Sequence, residues 1–277
     1  MLSKFFITGD CHGVFTRFYN LPKEENIGVI VLGDFSINFY LNKNDIRKKK
    51  ELYIKYPHII FYCVRGNHEC RPQDLPNIEK IFDENVHGTV YYEPEYPNIR
   101  YFLDYGFYDI NGYTCLIIGG AYSVDKYYRL ERAMLTEETN NPKKSGWFNN
   151  EQLTKEEMND CLQQVKLFNA TGKTVDFIMT HTCPYSYQPR DMFLSFIDQS
   201  KVDDSMEKWL DEIRTSINWK YWLFGHYHAD RIELPYVEQY FNDIEELNEI
   251  AYRWYVYDET GELNWWISKS PNFYKGE

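Results

Sequence analysis

Lys4-Phe5-Phe6-Ile7-Thr8-Gly9-Asp10-Cys11-His12-Gly13 couples a short apolar run to a glycine, an aspartate and a histidine. The β-branched and aromatic residues read as a strand over Lys4 to Thr8, and Asp10 and His12 fall in the loop at its carboxyl end. The same construction recurs along the chain. Gly28 to Leu32 runs into Gly33-Asp34, Ile59 to Val64 into Gly66-Asn67-His68-Glu69, Val175 to Thr180 into His181, and Tyr221 to Phe224 into Gly225-His226-Tyr227-His228. Helical spacing over Asn44 to Tyr56, Asn150 to Phe168 and Ser205 to Ile217 separates these runs, the alternation expected of βαβ units around a buried sheet. In an α/β sheet the carboxyl ends of the strands share an edge where ligands collect, so the polar loops should converge there.

The texture changes after about residue 98. Tyr105 to Ile110 and Tyr113 to Ile118 flank Asn111-Gly112, a strong hairpin signal, so an antiparallel section follows the parallel one. Ala251 to Tyr257, the turn Glu259-Thr260-Gly261 and Leu263 to Ile267 read as a closing hairpin. No repeat or Pro/Gly/Ser linker interrupts the chain. One domain over residues 1–277 is expected, carrying polar insertions around 119–152 and 185–204.

Composition narrows the partners. The 277 residues carry a formal charge of −12, and a chain that is 18% aromatic can bury ample apolar area, which excludes disorder. A surface that tracks a nucleic-acid backbone needs clustered Lys and Arg; the one dense run, Arg47-Lys48-Lys49-Lys50, reads as the solvated face of a helix, and no long nucleic-acid footprint is expected. No apolar stretch approaches the roughly 18 residues needed to span a membrane, and Met1-Leu2-Ser3-Lys4 leads straight into a strand, so neither an anchor nor a signal peptide is expected. The cysteines (11, 63, 70, 115, 161 and 183) form no CxxC pair, which points to reduced thiols and a cytoplasmic location. Oligomeric state is left open.

The loops carry Asp10, His12, Asp34, Asn67, His68, His181, His226 and His228, whereas His58 and His87 fall outside them. Nitrogen and oxygen donors without converging thiolates suit Zn, Mn or Fe. Eight candidates are too many for one tetrahedral ion, but two metals bridged by a carboxylate would use most of them. Each motif alone is weak, since a lone histidine is more often a hydrogen-bonded structural residue than a ligand. GHxH is better, because residues i and i+2 leaving a strand point the same way. The whole ordered set, each member at a strand end, is specific.

These motifs, Gly9-Asp10-x-His12, Gly33-Asp34, Gly66-Asn67-His68-Glu69, His181 and Gly225-His226-x-His228, resemble the ordered signature of calcineurin-like metallophosphoesterases. The resemblance implies a four-layer α/β/β/α sandwich with mixed sheets and two divalent metal ions. By position, Asp10, His12, Asp34 and His228 would hold one metal, and Asp34, Asn67, His181 and His226 the other, with Asp34 bridging. It also implies attack on phosphorus by a metal-bridging hydroxide, with His68 contacting the phosphate and protonating the leaving oxygen.

Departures from the family pattern narrow the substrate. Protein phosphatases of this superfamily usually extend the second motif to GDxVDRG, whereas here it reads Gly33-Asp34-Phe35-Ser36-Ile37-Asn38. Ile37 stands where an Asp would support the catalytic histidine, and Asn38 where an Arg would grip the phosphate. This shifts the resemblance toward phosphodiesterases acting on nucleotide-type or other small phosphoesters. The alternative is a phosphomonoesterase or protein Ser/Thr phosphatase, suggested by Arg65-Gly66-Asn67-His68-Glu69; a nuclease or a non-catalytic scaffold are further readings. Candidate substrate contacts are Asn38, Arg65, Tyr122 and Arg129, the last two in an insertion where Lys126, Tyr127 and Tyr128 add charge and base-stacking surface. The plainer alternative pairs Arg129 with Asp125 or Glu131 and packs the tyrosines on the sheet. Cys11, Cys70 and Cys183, each beside a proposed site residue, are expected as small buried fillers rather than redox groups.

Overall fold

A computed structural model describes residues 2–138 and 146–261. The three strands expected first are present as β1 (Lys4–Thr8), β2 (Ile27–Val31) and β3 (Ile59–Cys63), paired in parallel with Phe6 opposite Val29 and Val29 opposite Phe61. A fourth parallel strand, β6 (Ile99–Phe102), lies beside β3, and β5 (Gly88–Tyr92) and β4 (Glu79–Asp83) extend the sheet antiparallel. The far edge is β13 (Ile244–Glu246), antiparallel to β1, which gives the order β13-β1-β2-β3-β6-β5-β4. The second sheet contains β7 (Tyr105–Ile110), β8 (Tyr113–Ile118), β9 (Val175–Thr180), β10 (Trp219–Phe224), β11 (Arg231–Leu234) and β12 (Val237–Gln239) in the order β11-β12-β10-β9-β8-β7. Its inner strands β12, β10, β9 and β8 are parallel and its edges antiparallel, so both sheets are mixed.

Period-two alternation divides the apolar residues between layers. Phe5, Ile7, Ile30, Tyr62 and Val64 of the first sheet meet Cys115, Ile117, Phe177, Met179 and Leu223 of the second in a shared central core. The opposite face of the first sheet, with Val29, Val31 and Phe61, is covered by Leu52 and Tyr56 of α1 (Lys43–Lys55) and its C-cap and by Phe15 and Phe18. On the outer face of the second sheet, Leu116, Ile118, Ile178, Trp222 and Phe224 pack under α3 (Lys155–Asn169) and α4 (Ser205–Ser216). Covering by the second sheet on one face and by α1 with Phe15 and Phe18 on the other explains why β2 is buried at every position and does not alternate with polar residues. The result is the four-layer α/β/β/α sandwich. Two further helices are α2 (Lys126–Glu138) and α5 (Leu247–Thr260), and no helix among the described residues is long and apolar enough to cross a membrane.

Four expectations are corrected. The stretch Ala251 to Tyr257 is helical, part of α5, rather than the first arm of a hairpin; Leu263 to Ile267 lies outside the described residues. Leu247, Ile250 and Trp254 follow helical spacing and close the central core. Gly261, taken for the hairpin turn, ends the helix in a left-handed conformation (φ 68°), with its N–H donating to Tyr257 O at 2.8 Å. The helix expected from Asn150 starts at Lys155, where Thr154 and Glu157 form a reciprocal capping box. Antiparallel pairing begins at β4, some twenty residues before the expected change at 98.

The basic run is also divided rather than solvated throughout. Successive helical residues turn by about 100°, so Arg47 and Lys50 are exposed, Lys48 is half-buried and Lys49 points inward. Lys49 Nζ donates to both carboxylate oxygens of Glu93, at 2.6 and 2.8 Å, with side-chain exposures of 7% and 13%. Removing one partner of such a pair leaves a desolvated charge. Lys49→Ala should therefore cost about 2–4 kcal/mol in urea unfolding, against less than about 0.5 kcal/mol for the neighbouring Lys50→Ala.

Candidate metal centre

The polar loops leave β1, β2 and β3 on one sheet and β9 and β10 on the other, and backbone bonds tie them together. Cys11 N and His12 N donate to Asp34 O at 3.1 and 2.9 Å, and Gly225 N donates to His181 O at 2.9 Å. Across the sheets, His226 N donates to Asp10 Oδ1 at 2.8 Å, while His181 Nδ1 lies 2.7 Å from Leu32 O. A Cβ on Gly33, which has φ 93°, would stand 2.1 Å from His181 Nδ1, so only glycine admits this approach. His12, Asp34, His226 and His228 all hold positive φ, between 47° and 70°. Left-handed backbone at non-glycine residues costs of order 1–3 kcal/mol each and persists where surrounding structure enforces it, commonly at functional sites.

Two clusters of ligand-type atoms result. In the first, His12 Nε2 and His228 Nε2 lie 2.9 Å apart, and Asp10 Oδ2 is 3.7 and 3.2 Å from them. In the second, His181 Nε2 lies 2.8 Å from Asn67 Oδ1 and 3.6 Å from Asp34 Oδ1. The His/Asp groups whose donor atoms all fall within 4.8 Å of one another are Asp10, His12, His228 and Asp10, Asp34, His181. Asp10 is thus common to both groups, where the resemblance had made Asp34 the shared residue. His226 completes the ring of donors, its imidazole 5.0 Å from that of His181.

This donor set fits divalent cations. Asp10 and Asp34 are each only 1% exposed, and Asp10 Oδ2 is buried with no hydrogen-bond partner. An orphaned buried carboxylate oxygen facing two imidazole nitrogens is costly unless a cation meets it. Burial, the largest influence on Asp10, pushes its carboxyl pKa up, but the neighbouring imidazoles of His228, whose Nε2 is 3.2 Å away, and His181 outweigh it and leave the group below its usual range. Burial holds His226 well below the ordinary imidazole value, so it is neutral with a lone pair free to coordinate. Nδ1–H of His181 donating to Leu32 O likewise leaves Nε2 as the ligand atom.

A second row of residues holds these donors in place, and sequence patterning did not point to it. Asn67 Nδ2 donates to Ser123 Oγ at 2.8 Å, and Ser123 donates through Oγ and N to Glu151 at 2.6 and 3.0 Å. This turns Asn67 Oδ1 toward His181. Asp230 accepts from Phe241 N, Asn242 N and Asp243 N at 2.6 to 3.0 Å, which seats Phe241 against the His228 ring at 4.9 Å. Arg17 clamps the same loop to the first motif through Asp10 O, Thr8 Oγ1 and Phe241 O.

The centre opens into a cavity of about 790 Å³. His12, Asp34, Asn67, His68, His226 and His228 line it on the metal side, and both polar insertions supply walls, with Tyr122 and Arg129 from one and Phe193 and Ile197 from the other. His68 stands between His12 and Phe39, both ring centroids 6.0 Å away, with Nδ1 buried and unpartnered and Nε2 3.9 Å from Asp34 Oδ2. Ile37 is fully buried.

Two expected substrate contacts stand elsewhere. Arg65 is 3% exposed, ion-paired to Asp104 and donating to Glu151 O at 2.5 Å, so it braces the wall behind the cavity. Asn38 is 2% exposed and donates to Tyr101 OH at 3.0 Å, also away from the cavity. Arg129 does line the cavity, yet its Nε is paired with Asp125 at 2.7 Å, the plainer alternative. Tyr122 lines it as well, whereas Tyr127 and Tyr128 are exposed and Lys126 lies over Trp147 at 4.5 Å, all three outside the lining. Cys11, Cys70 and Cys183 are buried, and burial pushes the Cys11 thiol up to about 12, as inert fillers require.

Ser123→Ala should weaken metal binding by about 10- to 100-fold in a metal titration, with little change in the fold, because Asn67 loses its orienting bond. Glu207, 4% exposed on the cavity wall, accepts from Thr182 Oγ1 at 2.9 Å while Oε2 has no partner, and burial raises its pKa from 4.5 to about 7. The native state therefore holds this proton more tightly than the unfolded state, and stability falls as pH rises from about 4.5 through about 7. In urea unfolding, Glu207→Gln should gain about 2 kcal/mol more over the parent at pH 8 than at pH 5.5.

No curated protein matches the chain significantly. The solved structure of phosphopantetheinyl hydrolase from Mycobacterium tuberculosis is similar over 85% of this chain and 87% of that one, with 14% identity and a TM-score of 0.40. The family model of calcineurin-like phosphoesterases matches residues 3–230, the span that holds every loop of the centre. The chain belongs to the calcineurin-like phosphoesterase family and is a metal-dependent enzyme that hydrolyses phosphoester bonds.

Proposed function

We propose that the protein is a dinuclear phosphodiesterase acting on nucleotide-type or other small phosphoesters. Asp10, His12, Asp34 and His228 would hold one divalent cation, and Asp34, Asn67, His181 and His226 the other. The observation that carries the reading is the convergence of oxygen and nitrogen donors at the inner end of a cavity of about 790 Å³, with buried carboxylates behind the lining histidines and one carboxylate oxygen orphaned. When bound, the two cations neutralise charge on the phosphoryl oxygens and lower the pKa of water to supply a nucleophile at neutral pH.

The protein's own groups then do the rest. His68 Nε2 faces the donor cluster, where it can hand a proton to the leaving oxygen. The apolar wall of Phe193, Ile197 and Val202, with Tyr122, offers room for an esterified substituent, which supports a diester over a bare monoester. The buried Ile37 and the diverted Asn38 support the same branch, since neither the acidic support nor the guanidinium of a protein phosphatase is in place. Buried cysteines that form no disulfide among the described residues support a cytoplasmic enzyme.

The test is a panel with the protein loaded with Mn, Zn or Fe and offered bis-p-nitrophenyl phosphate, p-nitrophenyl phosphate, cyclic nucleotides and single-stranded DNA. Diester turnover above monoester turnover, abolished by chelation, is expected. Monoester preference would move the assignment to a phosphatase, and no turnover with any metal would sink the enzyme reading. His68→Ala should retain both metals by elemental analysis and lose about 10²- to 10⁴-fold in kcat; near-normal rates would rule out its role as the acid.

A further inference from the structure

The second motif lacks a guanidinium, Arg65 is committed to Asp104, and Arg129 to Asp125. A phosphoester cleft normally sets a fixed cation against the substrate's oxygens, because charge-assisted bonds to phosphate are strong and orienting. One half-buried cation on the metal side of this cavity is differently placed.

Lys48, half-buried beside the exposed Arg47 on α1, lines the cavity together with Ser36 and Tyr40. Its Nζ donates to the backbone carbonyl of Ser36 at 2.6 Å and stands 5.4 Å from the Tyr40 ring centroid. A Cβ on Gly13 would meet Lys48 Cε and Nζ at 2.5 Å. The ammonium is thereby wedged between the loop that carries His12 and the loop that carries Asp34. Its recorded hydrogen bond goes to a neutral acceptor, which leaves N–H donors to spend on a ligand. The nearest acidic influences are Asp45 and Glu69; Asp45 accepts from Leu41 N at 2.7 Å, and Glu69 from Gly66 N at 2.7 Å. Arg190, the remaining basic residue of the lining, lies over the Tyr185 ring at 4.7 Å on the outer insertion.

We propose that Lys48 is a substrate-binding residue whose ammonium takes a non-bridging phosphoryl oxygen at the shoulder of the metal centre, replacing the contact that the second motif does not provide. This rests on the phosphoesterase reading above. Held by Ser36 O and the Tyr40 face, the ammonium is preorganised, so little side-chain freedom is lost when the anion arrives. A lysine presents the ligand with a compact point charge, whereas an arginine at this place would keep the charge and change its reach and geometry.

The experiment compares the manganese-loaded parent with Lys48→Met and Lys48→Arg, measuring inorganic phosphate binding by calorimetry, metal content, and KM and kcat on bis-p-nitrophenyl phosphate. Lys48→Met should keep both metals while phosphate affinity falls and KM rises, each by about 10- to 100-fold, with kcat less affected; Lys48→Arg should recover part of the phosphate affinity. Unchanged phosphate affinity in Lys48→Met, with the parent active, would overturn the assignment and leave the phosphoesterase reading standing. Loss of metal in step with phosphate affinity would also overturn it, since Lys48 would then only brace the Ser36 loop. A parent that neither binds phosphate nor turns over any phosphoester would remove this inference together with the reading beneath it.

Discussion

Two carboxylates, Asp10 and Asp34, are buried at 1% exposure where the edges of both sheets meet, and the rest of the structure is arranged around satisfying them. An unpaired carboxylate in such surroundings is prohibitively costly. One oxygen of each is met by a backbone N–H from another strand's loop, His226 N for Asp10 and His68 N for Asp34, both at 2.8 Å. Satisfying the charges therefore also locks β10 to β1 and β3 to β2. The bond from His226 joins the two sheets, so the site acts as a polar bolt at the end of an apolar sandwich. The second oxygens face imidazole nitrogens, which leaves a polar chamber whose natural occupant is a cation.

Strain and support are distributed accordingly. His12, Asp34, His226 and His228 are held in left-handed backbone, partly by bonds among the strand-end loops themselves, such as His226 N to Asp10 Oδ1 and His12 N to Asp34 O, and partly by residues around them. Arg17 and Asp230 anchor the 241–243 loop against His228, and Ser123 with Glu151 orients Asn67. The two polar insertions contribute Ser123 to this support and residues to the walls of the cavity. The candidate donors thus sit in the strand-end loops, while the insertions supply cavity walls from segments whose sequence carries no periodic signal.

Strand-end motifs were legible because each couples a local apolar run to a glycine and a metal-type side chain, features that need no knowledge of distant residues. Elements where two periods compete were not. Residues 251 to 257 contain Tyr, Trp, Val and Tyr, which favour strands, yet helical spacing of Leu247, Ile250 and Trp254 against the central core prevails. Arg65 and Asn38 were misplaced for a related reason. Their nearness to the motifs in sequence said nothing of Asp104 or Tyr101, the partners that draw them away from the cavity.

The basic run shows where local reading ends. Its composition established a charged helix, but the fates of Lys48 and Lys49 depended on Glu93 and the Ser36 carbonyl, brought there by chain reversals outside the helix. From the sequence alone came the alternation of strands and helices, the reaction family and the candidate donors, because these are encoded by short-range pattern and by chemistry of residue type. Only the tertiary structure decided which candidate donors share a cluster, which lysines of the basic run turn inward, and what walls the cavity. Those depend on long-range contacts whose energies are set by burial, and burial is a property of the assembled layers rather than of any segment.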